Sequence, residues 1–397
     1  MEVPWYVKVF VPLFFNKQRG ILTMQVPLLD LRAQYAPLKE QIIAAISEIC
    51  ASQRFILGPK VEELEAQLKQ YCSSVGAVGV TSGSDALIIA LMAEGIKAGD
   101  EVITTPFTFF ATVGAIVRVG AKPVFADIDP DTFNIDPAKI AEKITPRTKA
   151  IIPVHLFGQA ADMDPIMALA KKHNLIVIED ACQSIGSEYK GRRVGSIGDY
   201  GAFSFFPSKN LGCFGDGGAV TCNTEEREKR LKIFRNHGQS NTYIHDFVGG
   251  NFRLDALQAA VLSIKLRELD KWSDARQKNA AEYDEMFKAA GLGDVIVTPK
   301  KASYGVRHIY NQYSIRVLDG KRDALKAYLS ENGVGCAIYY PLSLHLQNCF
   351  AELGGKVGDY PVCEKTTKEI LALPIYGECP REQREFVVAT IAKFFGK

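Results

Sequence analysis

Residues Glu179–Gly218 read EDACQSIGSEYKGRRVGSIGDYGAFSFFPSKNLGCFGDGG. The stretch continues an apolar run, Leu175 to Ile178, that has the pattern of a fully buried parallel strand. The acidic pair Glu179 and Asp180 stands where that run stops. A second strand, rich in aromatics, spans Tyr200 to Phe206 and meets Pro207, with Lys209 two residues on. A glycine-dense turn, 212–218, then enters a third strand, Ala219 to Cys222. Open parallel sheets bind ligands at the carboxyl ends of their strands. Asp180 and Lys209 therefore offer a carboxylate and an amine at one rim.

A lysine amine condenses with an aldehyde to give a Schiff base, and burial lowers its pKa enough to make it nucleophilic. Pyridoxal phosphate (PLP) uses such a lysine, with an aspartate keeping its ring nitrogen protonated so that the ring draws in electrons. A lysine in an arbitrary Ser-Lys-Asn is usually solvated. Here FSFF precedes it and LGCFGDGG follows, and these apolar flanks draw Lys209 inward.

Three segments, VIEDACQSIGSEYKG, GDYGAFSFFPSKNLGCFGDGGA and GGNFRLDALQAA, resemble the DegT/DnrJ/EryC1/StrS family of nucleotide-sugar aminotransferases, which are fold-type I PLP enzymes. The resemblance runs from about Gln25 to near the C-terminus. It implies Lys209 as the Schiff-base residue and proton shuttle, Asp180 on the ring nitrogen and Gln183 on the ring hydroxyl. It gives the cofactor phosphate to Ser84, to the backbone of Gly83 and Asp85, and to Ser204, and it lays Phe109 on the ring. It further implies a homodimer with shared active sites, in which Asn251 reaches the phosphate across the interface beside Arg253. The reaction implied moves an amino group from glutamate to a nucleotide-linked keto sugar, in deoxyamino-sugar and surface-polysaccharide biosynthesis. GGNFRLDALQAA looks more like the members that aminate C3 than those that aminate C4. Amination at C4, a dehydratase and a non-catalytic regulator of the same fold are the alternatives. Family dehydratases replace the lysine by histidine, and this chain keeps Lys209.

The 397 residues carry a net charge of +2 and no basic run, which argues against a nucleic-acid surface. The nine cysteines show no CxxC or Cys/His metal spacing, so reduced thiols in a cytoplasmic protein are expected. Neither GxGxxG nor GxxxxGK[ST] occurs, which disfavours an NAD enzyme or a phosphate-loop NTPase. Residues 1–23 are apolar but interrupted by Lys8 and Pro12, too short to span a bilayer, and are read as an extension without stable membrane insertion.

Periodicity gives seven strands, 77–80, 101–104, 123–128, 150–155, 175–178, 200–206 and 219–222, mostly separated by helices. The fold expected is α/β with a mostly parallel seven-stranded sheet. The last two strands are joined by the lysine loop alone, so at least one antiparallel pair is expected. Residues 24–250 are assigned to a large PLP-binding domain and 251–397 to a long helix, broken near Trp272, and a small C-terminal α+β domain. The strand–turn–helix at 77–94 is a ready anion site, since helix N-termini present free amides. His155 ends a strand at the rim as a neighbour of the cofactor. The polar, aromatic loops further on make Arg253, His308, Tyr310 and His345 the candidates for binding the sugar.

Overall fold

The computed structural model describes residues 24–397; the extension at 1–23 lies outside the described residues. The seven strands are β1 (Gly76–Val80), β2 (Glu101–Thr104), β3 (Lys122–Phe125), β4 (Thr148–Ile151), β5 (Ile176–Asp180), β6 (Tyr200–Ser204) and β7 (Gly218–Cys222). They form one sheet in the order β1-β7-β6-β5-β4-β2-β3. From β6 to β3 every neighbouring pair is parallel, whereas β7 runs antiparallel to both β1 and β6. The expected antiparallel pair is thus β6–β7, and β1–β7 is a second.

Alternate residues of the strands feed two separate cores. Ile103, Ile151, Val177, Phe203 and Ala219 face one, with Leu64 and Leu68 of the helix Pro59–Cys72. Val102, Ala150, Ile178, Ala202 and Val220 face the other, with Leu87 and Leu91 of the helix Gly83–Ala93. This period of two on a sheet covered on both sides is why the strands read as continuous apolar runs.

Strand ends differ from the sequence reading for local reasons. Pro153 has no N–H to continue β4, so the expected 150–155 strand stops at Ile151 and Val154 makes only an isolated bridge to Asp180. β5, in contrast, runs two residues further than expected, because Glu179 and Asp180 pair with Gly201 and Ala202. The acidic pair occupies the last rungs of the ladder.

A second unit is built on a three-stranded antiparallel sheet, Ile296–Val297, Tyr313–Val317 and Ile370–Leu373. The helices Leu269–Ala289, Arg322–Glu331 and Arg381–Phe395 contribute to its core. The segment around 335–338 contributes one isolated bridge, Ala337 to Ala372, and the third strand is Ile370–Leu373. The long helix breaks at Arg267–Glu268 rather than near Trp272. The 250/251 boundary also needs correction. Leu254, Ala259, Leu262 and Leu266 lie in the first unit's core, while Val26, near the other end, lies in the second's.

Glu179 ties this architecture to the rim. Its carboxylate is fully buried and accepts hydrogen bonds from the amides of Gly195 (2.8 Å), Ile197 (2.8 Å) and Gly198 (2.7 Å). It also meets His155 Nε2 at 2.9 Å. Burial alone would raise its pKa, but the bonds from His155 and the loop amides hold it below the ordinary 4.5. His155 Nδ1 in turn accepts from the amide of Ala161. The histidine is therefore a buried staple between strand and loop, and not the cofactor neighbour expected.

Glu179→Ala should cost on the order of 3–5 kcal/mol in chemical denaturation, because three amides and an imidazole lose their partner. A folded-state pKa below the unfolded value gives stability that is complete above the unfolded value and lost as pH falls through the folded one. The gap between wild type and Glu179→Gln should accordingly narrow in acid; a pH-independent gap would contradict an ionised Glu179.

Candidate active site

The helix Gly83–Ala93 is capped by Ser82, whose hydroxyl accepts from the amide of Asp85 at 3.1 Å. The Asp85 carboxylate returns the bond, accepting from Thr81 (2.6 Å) and Ser82 (3.1 Å). The amide of Asp85 is therefore already committed to the cap. The helix entry at Gly83 and Ser84 keeps the character of an anion site. Gly83 is there because nothing larger fits: a Cβ would stand 2.7 Å from both Cys182 Sγ and Ser204 Cβ. Gly83, Cys182 and Ser204 therefore meet, although they come from three separate elements.

Asp180 leaves the end of β5 on the opposite side from Glu179. Its Oδ2 accepts from Thr112 Oγ1 at 2.8 Å and its Oδ1 from the amide of Cys182 at 3.2 Å. The Thr112 hydroxyl is itself 3.0 Å from that of Thr108. Thr112 sits in the helix Phe110–Arg118, and Phe109 is that helix's N-cap. The bond that fixes Asp180 thus comes from the first turn of the helix that Phe109 opens, and Phe109 is 57% exposed. An aromatic left this open has a free face for a flat ring. Thr112 went unremarked in the sequence because a lone threonine inside an apolar helix carries no pattern.

Lys209 lies in the loop between β6 and β7, where its amide donates to the carbonyl of Phe206 at 2.9 Å. Desolvation lowers the pKa of its amine against the opposing pull of Cys182 and Asp180. The same surroundings raise the Cys182 thiol, burial first and the Asp180 charge second. Amine, thiol and carboxylate thus share one low-dielectric corner. The neighbouring Asn210 anchors the loop to the second unit by donating to the Ile309 carbonyl at 3.1 Å.

Gln183 follows on the turn after β5. Its Nε2 donates to the Tyr340 hydroxyl at 2.6 Å, while its Oε1 is buried without a partner. Asn251 is exposed on a turn whose next residues pair with Val80 and Thr81, just before the Ser82 cap. Arg253 is less available than expected: its Nη1 donates to Asn236 Oδ1 at 2.7 Å.

Three of the proposed sugar contacts are corrected. His308 is buried, accepts from the Tyr310 amide at 3.0 Å, and stacks on the Tyr310 ring at 3.8 Å. Burial pushes its pKa down to about 3, so it is a neutral core imidazole. Tyr310 is buried with it in the second unit. His345 is held between Ser343 Oγ (2.7 Å) and Glu364 Oε1 (3.2 Å), also buried. Each sits in a polar, aromatic stretch that looked like an open rim, but packing buries all three side chains.

Two side chains of the helix Ala256–Leu266 clamp the lysine loop. Gln258 pairs with both the amide (2.8 Å) and the carbonyl (3.3 Å) of Phe214. Lys265 is buried, donates to the Gly212 carbonyl and lies over the Phe214 ring. Burial lowers its pKa from 10.5 to about 8. A lowered lysine pKa means that the buried charge costs stability below pH 8, and the cost is relieved between pH 8 and 10.5. Relative to Lys265→Met, the wild type should gain stability over that interval, by about 1.4 kcal/mol per unit at most. Denaturation at pH 7, 9 and 10 checks this, and a flat difference would show that Lys265 keeps its ordinary pKa in the fold.

The DegT/DnrJ/EryC1/StrS aminotransferase family model matches residues 37–392. The pleiotropic regulatory protein of Geobacillus stearothermophilus is 51% identical over 372 residues, 94% of this chain and 99% of that protein. The UDP-N-acetyl-3-dehydro-alpha-D-glucosamine 3-aminotransferase of Acidithiobacillus ferrooxidans is 44% identical over 368 residues, 93% of this chain and 97% of that one. The crystal structure of S. venezuelae DesV, in complex with a ketimine intermediate, superposes with a TM-score of 0.90 at 40% identity, covering 94% of this chain and all of that one. The fold is fold-type I, and the chain belongs to the DegT/DnrJ/EryC1/StrS aminotransferase family.

Proposed function

We propose that this chain is a PLP-dependent aminotransferase that moves the amino group of glutamate to C3 of a nucleotide-linked 3-keto sugar. The observation that carries the reading is the convergence of Asp180 and Cys182 at the end of β5 with the helix entry at Gly83 and with Ser204, at the start of the loop that bears Lys209. The A. ferrooxidans relative, named as a 3-aminotransferase, supports the choice of C3.

The residues present fit PLP. The partnerless Gln183 Oε1 and the exposed Phe109 are each left incomplete by the protein alone. When bound, the cofactor supplies an aldehyde for an amine and a protonated ring that stabilises negative charge on the adjoining carbon. Asp180 holds the proton on the ring nitrogen, and Thr112 keeps its carboxylate aimed. The Lys209 amine, depressed in pKa, would hold the cofactor aldehyde, and once an incoming amine had replaced it Nζ would take up and return a proton. Gly83, Ser84 and Ser204 would receive the phosphate, Phe109 would cover the ring, and Gln183 would meet the ring hydroxyl.

The working form is a homodimer with shared sites, in which Asn251 serves the partner's phosphate. Exposed apolar residues in the lysine loop and over 243–248 support a covering copy: Phe206, Phe214, Tyr243, Ile244 and Val248. The nine free cysteines fit a cytoplasmic setting, and among the described residues no helix is long and apolar enough to cross a membrane.

A regulatory role is the second reading, favoured by the name of the G. stearothermophilus relative. The intact Lys209 and Asp180 favour the enzyme. With a UDP-linked 3-keto sugar and glutamate, product NMR should place the new amine on C3. Lys209→Ala should abolish turnover and Asp180→Asn should lower it by orders of magnitude. Amine on C4, or full activity without Lys209, sinks the assignment concerned.

Mixing Lys209→Ala and Asn251→Ala subunits tests the shared site. Hybrid dimers should regain one intact site and up to half the activity per hybrid. No recovery on subunit exchange means that Asn251 acts within its own chain.

A further inference from the structure

The contact between Gln183 and Tyr340 joins the cofactor end of β5 to a loop of the second unit, 157 residues away in sequence. Tyr340 is held on two sides by the first unit. Its ring meets Phe107 edge-on at 5.6 Å and stacks on Phe157 at 6.4 Å. Phe107 and Phe157 are buried, so the phenol oxygen has a fixed place, and that place is 2.6 Å from Gln183 Nε2. At that distance the hydroxyl is already engaged, which argues against Tyr340 as a primary contact for substrate.

A glutamine amide has two ends of nearly equal shape and opposite hydrogen-bonding sense. Left alone, Gln183 could present either end to a ligand. Tyr340 occupies one end, while Oε1 stays buried and unpartnered. Resting on the PLP reading above, we propose that Tyr340 is a positioning residue. Its phenol oxygen fixes the orientation of the Gln183 amide and so sets the hydrogen bond offered to the ring hydroxyl of the cofactor. The second unit thereby tunes the cofactor's electronics without touching it. Since the ring hydroxyl belongs to the light-absorbing system, its hydrogen-bond partner influences the pH at which the bound cofactor changes colour.

The test uses holoenzyme loaded with PLP: wild type, Tyr340→Phe, Gln183→Ala and the double variant. Tyr340→Phe keeps the ring and its packing on Phe107 and Phe157 while deleting the hydroxyl. The midpoint of the cofactor absorbance titration should move by about half to one pH unit in each single variant, the worth of one hydrogen bond. In the double variant it should move no further than in Gln183→Ala, because the tyrosine acts through the glutamine. PLP affinity should fall about three- to tenfold in Tyr340→Phe, with the melting temperature of the apoprotein unchanged. Gln183→Asn, one methylene shorter, withdraws from the tyrosine without altering it and should also displace the midpoint. A wild-type midpoint in Tyr340→Phe, or shifts that add in full in the double variant, would overturn the proposal. Failure of the wild type to take up PLP at all would instead overturn the function on which it rests.

Discussion

Successive side chains of a β-strand point to opposite faces, and this constraint separates two adjacent acids that the sequence leaves equivalent. Glu179 turns into the fold, where three loop amides and His155 consume it. Asp180 turns the other way and keeps its carboxylate for the site, held by Thr112 and the Cys182 amide. A slip of one residue in the β5 register would exchange the two. The parallel pairing of Glu179 with Gly201 and Asp180 with Ala202 rules out that slip, so strand geometry alone decides which acid is consumed by the fold and which faces the candidate site.

Around Asp180 the site is assembled from segments that share no sequence proximity. The helix entry at Gly83, the turn at Cys182 and the strand end at Ser204 converge because Gly83 permits the approach. The lysine loop has little regular structure of its own and is fixed from outside, by Gln258 and Lys265 on one side and by Ile309 on another. Rigid scaffolding of a reactive loop is what holds an amine at a defined distance from its partners. Burial also weakens the hold of Lys209 on its proton.

How much of this was legible in the sequence depended on the range of the interaction. The seven strands announced themselves as apolar runs, and Lys209 and Asp180 as rim residues, because those features are local. Phe109 and Gln183 came from the family pattern, which places them but does not explain them. Thr112, Lys265 and Tyr340 were not legible, since each acts through contacts to residues far away in the chain. His308, Tyr310 and His345 misled for the opposite reason. Polar and aromatic residues in a loop look available until the packing that buries them is known. The strand Ile370–Leu373 is only four residues long, and it is defined by its pairing with Tyr313–Val317 rather than by any pattern of its own.

Val26 donates to the Gly333 carbonyl and accepts from the Gly335 amide, and it packs in the second unit's core beside the C-terminal helix. Both ends of the described chain are therefore anchored in the same unit, and the large sheet is topologically an insertion within it. No single cut in the backbone releases either unit whole. The second unit can complete its core only after the insertion has been made, which couples the order of folding to the chain's own closure. It also follows that new termini opened in an exposed loop of the large sheet, with the old ends joined through a linker, would make the second unit continuous for the first time.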